Sequence, residues 1–223
     1  LSRFSAGQAI ACQHEPAIHY FDPLAQKPTE KVADEPEVKT IFTQAEELLQ
    51  KYYGYQAFRP GQARVIKSIL QGCDTLAIMP TGAGKSICFQ IPALLFDGVT
   101  LVISPLISLM KDQVDTLINL GIPASFINSS LNSREVERRI EKTAAGAYKI
   151  LYVAPERLEV PAFLEMMKDL NVSFLAIDEA HCVSQWGHDF RPSYRRIAVF
   201  VHKLARRPIL AAFTATATEE VQT

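Results

Sequence analysis

The chain has 223 residues, 48% of them hydrophobic and 21% charged, with a formal net charge of -1. That balance suits a globular domain able to bury a sizeable core and excludes a basic polyelectrolyte, so any nucleic-acid contact must come from a local patch. No run approaches the ~20 apolar residues of a membrane helix, which predicts a soluble chain with no membrane partner. The four cysteines, Cys12, Cys73, Cys88 and Cys182, stand singly without a C-x-x-C pair, which predicts neither a zinc site nor a disulfide scaffold and fits a reducing, intracellular setting.

Residues 1–38 carry Pro16, Pro23, Pro28 and Pro36 with no sustained period, and read as an irregular extension or linker. Regular structure is expected to begin near Thr43, where Thr43 and Glu46 have capping-box spacing ahead of Leu48, Leu49, Tyr52 and Tyr53, with Gly54 as the stop. Pro60 opens a second helix closed by Gly72. Six short apolar runs read as buried strands: Thr75 to Met79, Thr100 to Ser104, Ala124 to Ile127, Ile150 to Val153, Phe174 to Ile177 and Ile209 to Phe213. Between them, Leu106 to Leu120 ends at Gly121, Asn132 with Glu135 caps a charged helix, and Pro161 starts another. This alternation predicts an α/β fold over residues 39–223, a mostly parallel sheet with helices on both faces. The sequence lacks an initiator methionine and stops at Glu219 to Thr223 in what reads as a helix just begun, so a longer parent is expected.

In such sheets ligands sit beyond the carboxyl ends of the strands. The run ending at Met79 is followed by Pro80-Thr81-Gly82-Ala83-Gly84-Lys85-Ser86 and the apolar helical segment Ile87 to Phe96. Glycines let consecutive backbone N–H groups turn inward around phosphate oxygens, a lysine reaches the β- and γ-phosphates, and a hydroxyl ligates Mg²⁺. Gly82, Gly84, Lys85 and Ser86 provide these, although Met79 stands where the strict phosphate-loop pattern has glycine. A second run ends in the acids Asp178 and Glu179, ahead of Ala180 and His181. Neighbours at a strand end point different ways, so Asp178 can hold Mg²⁺ through water while Glu179 activates the attacking water as general base.

Six blocks in order resemble the motifs of RecQ family DNA helicases: Phe58 to Gln62, Met79 to Ser86, Ser104 to Gln113, Ala154 to Leu158, Asp178 to Tyr194 and Thr214 to Thr218. The resemblance spans residues 43–223. It implies a RecA-like P-loop NTPase domain, the first of two motor domains, that uses ATP and Mg²⁺ to drive 3′ to 5′ translocation on DNA and its unwinding in recombination or repair, in a bacterial cytoplasm or a nucleus. Lys85, Asp178, Glu179 and His181 would be catalytic, and Ser86 with Asp178 would hold Mg²⁺. Met79, Pro80, Thr81, Gly82, Ala83, Gly84, Lys85 and Ser86 would cradle the nucleotide. Tyr55 would stack on adenine, Gln62 would read its Hoogsteen edge and Arg59 would support that pocket, with Phe58 a core aromatic.

Trp186, His188, Phe190, Arg191 and Tyr194 would form a loop that senses DNA and signals to the ATP site, as aromatic faces and guanidinium groups suit single-stranded bases and phosphates. Thr214 and Thr216 would couple hydrolysis to movement between domains; the alternative is that their hydroxyls only cap the next helix. Lys111, Arg195, Arg196, Lys203, Arg206 and Arg207 could touch phosphates, but on a helix such charges are usually a solvated face. Ala83 stands where the family usually has a third glycine, and residues 129–148 match loosely. The family's second RecA-like domain, with its arginine finger, lies outside this sequence, so the fragment alone is expected to turn over very slowly. Rival readings are a nucleotide-binding adaptor without turnover and an RNA helicase of the same superfamily; the Trp186 to Tyr194 loop speaks against the latter.

Overall fold

The computed structural model describes residues 17–20, 36–183 and 191–215. The elements are β1 (Ala17–Tyr20), α1 (Pro36–Tyr53), α2 (Pro60–Leu70), β2 (Thr75–Ile78), α3 (Lys85–Leu95), β3 (Val99–Ile103), α4 (Ile107–Asn119), β4 (Ala124–Ile127), α5 (Ser133–Ala144), β5 (Ile150–Val153), α6 (Pro161–Met167), β6 (Val172–Ile177), α7 (Arg196–Lys203) and β7 (Ile209–Thr214). The strands form one sheet in the order β1-β2-β7-β6-β3-β5-β4, and every pair is parallel.

Alternate residues of a strand face opposite sides of a sheet, and here each side has its own core. Val102, Tyr152, Phe174, Ala176 and Phe213 pack in one cluster with residues of α1 to α4 such as Leu49, Ile66, Phe89 and Met110. Their neighbours Leu101, Ile103, Leu151, Val153 and Leu175 pack in the other with Ile140 of α5, Phe163 of α6 and Phe200 of α7. The strands are therefore buried on both faces, which is why they read as continuous apolar runs. All six expected strands are present, and the expected stops at Gly54, Gly72 and Gly121 take φ of +73°, +80° and +80°. Asn132 caps α5 by accepting from the Glu135 N–H at 2.9 Å.

Three expectations are corrected. The first helix begins at Pro36, so Thr43 lies inside it and no capping box forms; its hydroxyl donates instead to the Lys39 carbonyl at 3.0 Å. The cause is the buried stripe Val38, Ile41, Ala45 and Leu49, which carries the helical period upstream of Thr43. Second, the segment read as irregular contains β1, in register with β2 from Ala17 against Thr75. A four-residue strand is too short to show a period, and it forms where the open edge of β2 offers unpaired backbone groups. Third, Cys88 and Cys182 are buried thiols, but Cys73 is disulfide-bonded.

Candidate active site

Strand order places β2, β7, β6 and β3 side by side, so the segments leaving their carboxyl ends form one edge. Backbone bonds lace that edge together: the Met79 N–H donates to the Thr214 carbonyl at 2.9 Å and the Asp178 N–H to the Ile103 carbonyl at 2.8 Å.

The loop from β2 to α3 turns on two left-handed residues, Gly82 and Gly84, both at φ +80°. Only glycine takes that conformation without steric cost, and Gly84 is also the residue from which α3 starts. Pro80, Thr81 and Gly82 are exposed, Met79 and Ala83 are buried beneath them, and Ser86 is half-buried in the first turn of α3. The Lys85 ammonium lies 3.5 Å from the Met79 carbonyl.

At the start of α2, two side chains hold this loop, that of Arg59 just before the helix and that of Gln62 in its first turn. Arg59 donates from Nη1 to the Gly82 carbonyl at 3.0 Å. Gln62, only 4% exposed, donates from Nε2 to the carbonyls of Ala83 at 3.1 Å and Gly84 at 3.2 Å, while its Oε1 accepts from the Arg59 N–H at 3.0 Å. Tyr55, in the segment between α1 and α2, is 56% exposed, and Phe58 is buried against Phe42 at a ring separation of 5.6 Å, the core role read for it.

Beyond β6, the Asp178 carboxylate accepts from the Ser104 hydroxyl at 3.4 Å and from the Glu179 N–H at 3.0 Å. Burial, and then the charge of Glu179, hold the Asp178 carboxyl above its ordinary range, while the positive charge of Lys85 works in the opposite direction. Lys85 and Asp178 thus sense each other across the edge. Glu179 has φ +50°, the one non-glycine residue with positive φ among the described residues, a conformation that costs about 1–2 kcal/mol. The His181 Nδ1 lies 3.3 Å from Glu179 Oε2 and 3.2 Å from the Thr214 hydroxyl, so one imidazole bridges the segments after β6 and β7.

Tyr194, grouped by sequence with DNA-facing aromatics, is 2% exposed. Its hydroxyl donates to the Asp178 carbonyl at 2.8 Å, and burial raises its pKa. Arg191 sits at the surface with its guanidinium 3.3 Å from Glu156 Oε1. Trp186, His188, Phe190 and Thr216 lie outside the described residues. Lys111, Arg195 and Arg196 are exposed. Arg207 pairs with Asp74, which precedes β2 and so lies at the opposite end of the sheet.

Sequence reasoning assigned no role to Ser104, although it is the first residue beyond β3 and lies at the same edge as the other motifs. It also missed Glu156 as the partner of Arg191, because the two are 35 residues apart.

The residues fit a triphosphate carried with a divalent cation. Two left-handed glycines, an ammonium, a hydroxyl and two acids share one edge. Among the described residues no group of three or more His, Cys, Asp or Glu could hold a metal ion unaided, and Mg²⁺ commonly binds one or two carboxylates together with substrate phosphates.

A family model described as DEAD/DEAH box helicase matches residues 59–223. The chain is 53% identical over 178 residues to the ATP-dependent DNA helicase RecQ of Bacillus subtilis (strain 168), covering 79% of this chain and 30% of that protein. It is 52% identical over 171 residues to the ATP-dependent DNA helicase RecQ of Pasteurella multocida (strain Pm70), covering 77% of this chain and 27% of that protein. The chain thus spans less than a third of the length of these two curated relatives. Among solved structures, a hypothetical ATP-dependent RNA helicase from Sulfolobus tokodaii superposes with a TM-score of 0.61 at 21% identity, covering 80% of this chain and 52% of that one. At that identity the likeness speaks for the fold.

Proposed function

Because this chain belongs to the DEAD/DEAH box helicase family, as a first RecA-like domain of the RecQ kind, we propose that it binds and hydrolyses Mg-ATP to drive 3′ to 5′ unwinding of DNA in its parent protein. The observation that carries this reading is the shared edge of Lys85, Asp178 and Glu179, with Asp178 desolvated in the electrostatic range of Lys85.

In this reading Gly82 to Gly84 present backbone N–H groups to the phosphates, and the Lys85 ammonium leaves the Met79 carbonyl to neutralise the β- and γ-phosphate oxygens. Mg²⁺, held by Ser86 and Asp178, would supply charge stabilisation at the phosphoryl oxygens. Glu179 accepts the proton of the attacking water, and His181 orients the Glu179 carboxylate while tying it to Thr214. Thr214 would report the state of the acids to the segment after β7. Arg191 and the loop before it would meet single-stranded DNA, and an arginine from a second motor domain would complete the site, a contribution worth roughly 10³ to 10⁵ in rate in related NTPases.

The test is calorimetric titration of Mg-ATP into the wild-type chain and Lys85→Ala. Loss of one charge-assisted contact, ~1.5–3 kcal/mol, should weaken binding about tenfold or more. Equal affinity for both proteins would overturn the site. For the nucleic acid, ATPase of the parent protein should be stimulated by single-stranded DNA more than by RNA of the same sequence; the reverse preference would favour the RNA reading.

A further inference from the structure

Gln90 lies on α3, five residues beyond Lys85, and is 4% exposed. Its amide is fully engaged: Oε1 accepts from the Tyr53 hydroxyl at 2.8 Å, and Nε2 donates to the Tyr152 hydroxyl at 3.1 Å and to Gln113 Oε1 at 3.1 Å. One side chain thereby joins α3 to the last residue of α1, to β5 and to α4. Its neighbours on α3, Phe89 and Ile91, belong to the apolar cluster that also holds Leu49 and Met110. A buried amide is costly unless every polar atom is paired. Pairing here requires one particular placement of α4 against α3, which an apolar side chain would not demand.

Both ends of this link lead to the candidate site. The first residue of α3 is Lys85, and α4 begins three residues after Ser104, whose hydroxyl bonds Asp178. The start of α4 leaves Leu106, Ile107 and Leu109 exposed at the same edge of the sheet. Burial keeps the Tyr53 and Tyr152 phenols protonated, and the charge of Asp178 contributes to the upward shift of Tyr152.

We infer that Gln90 is a positioning residue that, through Gln113, makes α4 follow the phosphate-loop helix α3, so that a nucleotide seated at Lys85 fixes the placement of α4 and of the apolar surface at its start. The inference deepens the nucleotide-site reading and rests on it.

Hydrogen–deuterium exchange of the whole chain with and without saturating Mg-ADP tests it, in wild type, Gln113→Leu and Gln113→Glu. In wild type, nucleotide should slow exchange both at residues 79–87 and along α4. Gln113→Leu removes one of the two acceptors of the Gln90 amide, the one on α4; nucleotide protection should persist at residues 79–87 but fall along α4 by about three- to tenfold, the scale of one net hydrogen bond. Gln113→Glu keeps an acceptor and should restore it, a rescue that lost folding alone would not produce. Unchanged protection of α4 in Gln113→Leu overturns the inference, as does a Glu variant that behaves like Leu. Absence of protection at residues 79–87 in wild type overturns the nucleotide site itself.

Discussion

The Tyr194 hydroxyl donates to the Asp178 carbonyl at 2.8 Å. A residue that sequence order groups with DNA-binding aromatics is thus a strut on the acidic pair, and the two stand only 16 residues apart in sequence. Displacement of Tyr194 bears directly on the backbone from which the Asp178 carboxylate projects.

Tyr194→Phe keeps the ring and removes the hydrogen bond. Stability should fall by about 0.5–1.5 kcal/mol, the net value of one such bond, measured by urea denaturation. Affinity for a single-stranded oligonucleotide, read by fluorescence anisotropy, should not change, because a ring this buried has no face to offer a base. A loss of ~1–3 kcal/mol in DNA binding, the value of one base stack, would show that Tyr194 contacts DNA after all.

Gln62 was read from the sequence as the reader of adenine, yet its three hydrogen bonds all go to the chain. Gln62→Ala frees the carbonyls of Ala83 and Gly84 and loosens the loop for any phosphate ligand. The variant should therefore weaken binding of inorganic tripolyphosphate as well as of ATP, each by about tenfold for the loss of one to two hydrogen bonds, in parallel calorimetric titrations. A loss confined to ATP would return Gln62 to base recognition.

Burial, with the charge of Glu179 adding to it, holds the Asp178 carboxyl above the ordinary range. Between the ordinary aspartate value of about 3.9 and the raised native one, the folded state keeps a proton that the unfolded chain has released, so stability falls as pH rises through that window. Asp178→Asn cannot ionise and escapes this loss. Its melting temperature relative to wild type should climb from about pH 4 upward and then level off, in thermal melts without divalent cation. A difference constant with pH would show that the Asp178 carboxyl is not perturbed.

Periodicity and residue chemistry were enough to read the six strands β2 to β7, the glycine stops, the Asn132 cap and the placing of both motifs beyond strand ends, because each depends on neighbours in sequence: a strand buried on both faces must be apolar throughout, and a left-handed turn selects glycine. Local pattern could not say which motif residues face solvent. Tyr194 and Tyr55 are the same residue type, both read from the sequence as site residues, yet one is sealed under Asp178 and the other is exposed. Nor could it join Gln90 to Tyr152, 62 residues away, or Ser104 to Asp178, 74 residues away. Those pairings follow from strand order, which sets β6 beside β3 and lays α3 and α4 over the same face. Hydrogen bonds form between groups within about 3 Å in space, and in a parallel sheet with crossover helices that proximity is decided by packing rather than by distance along the chain.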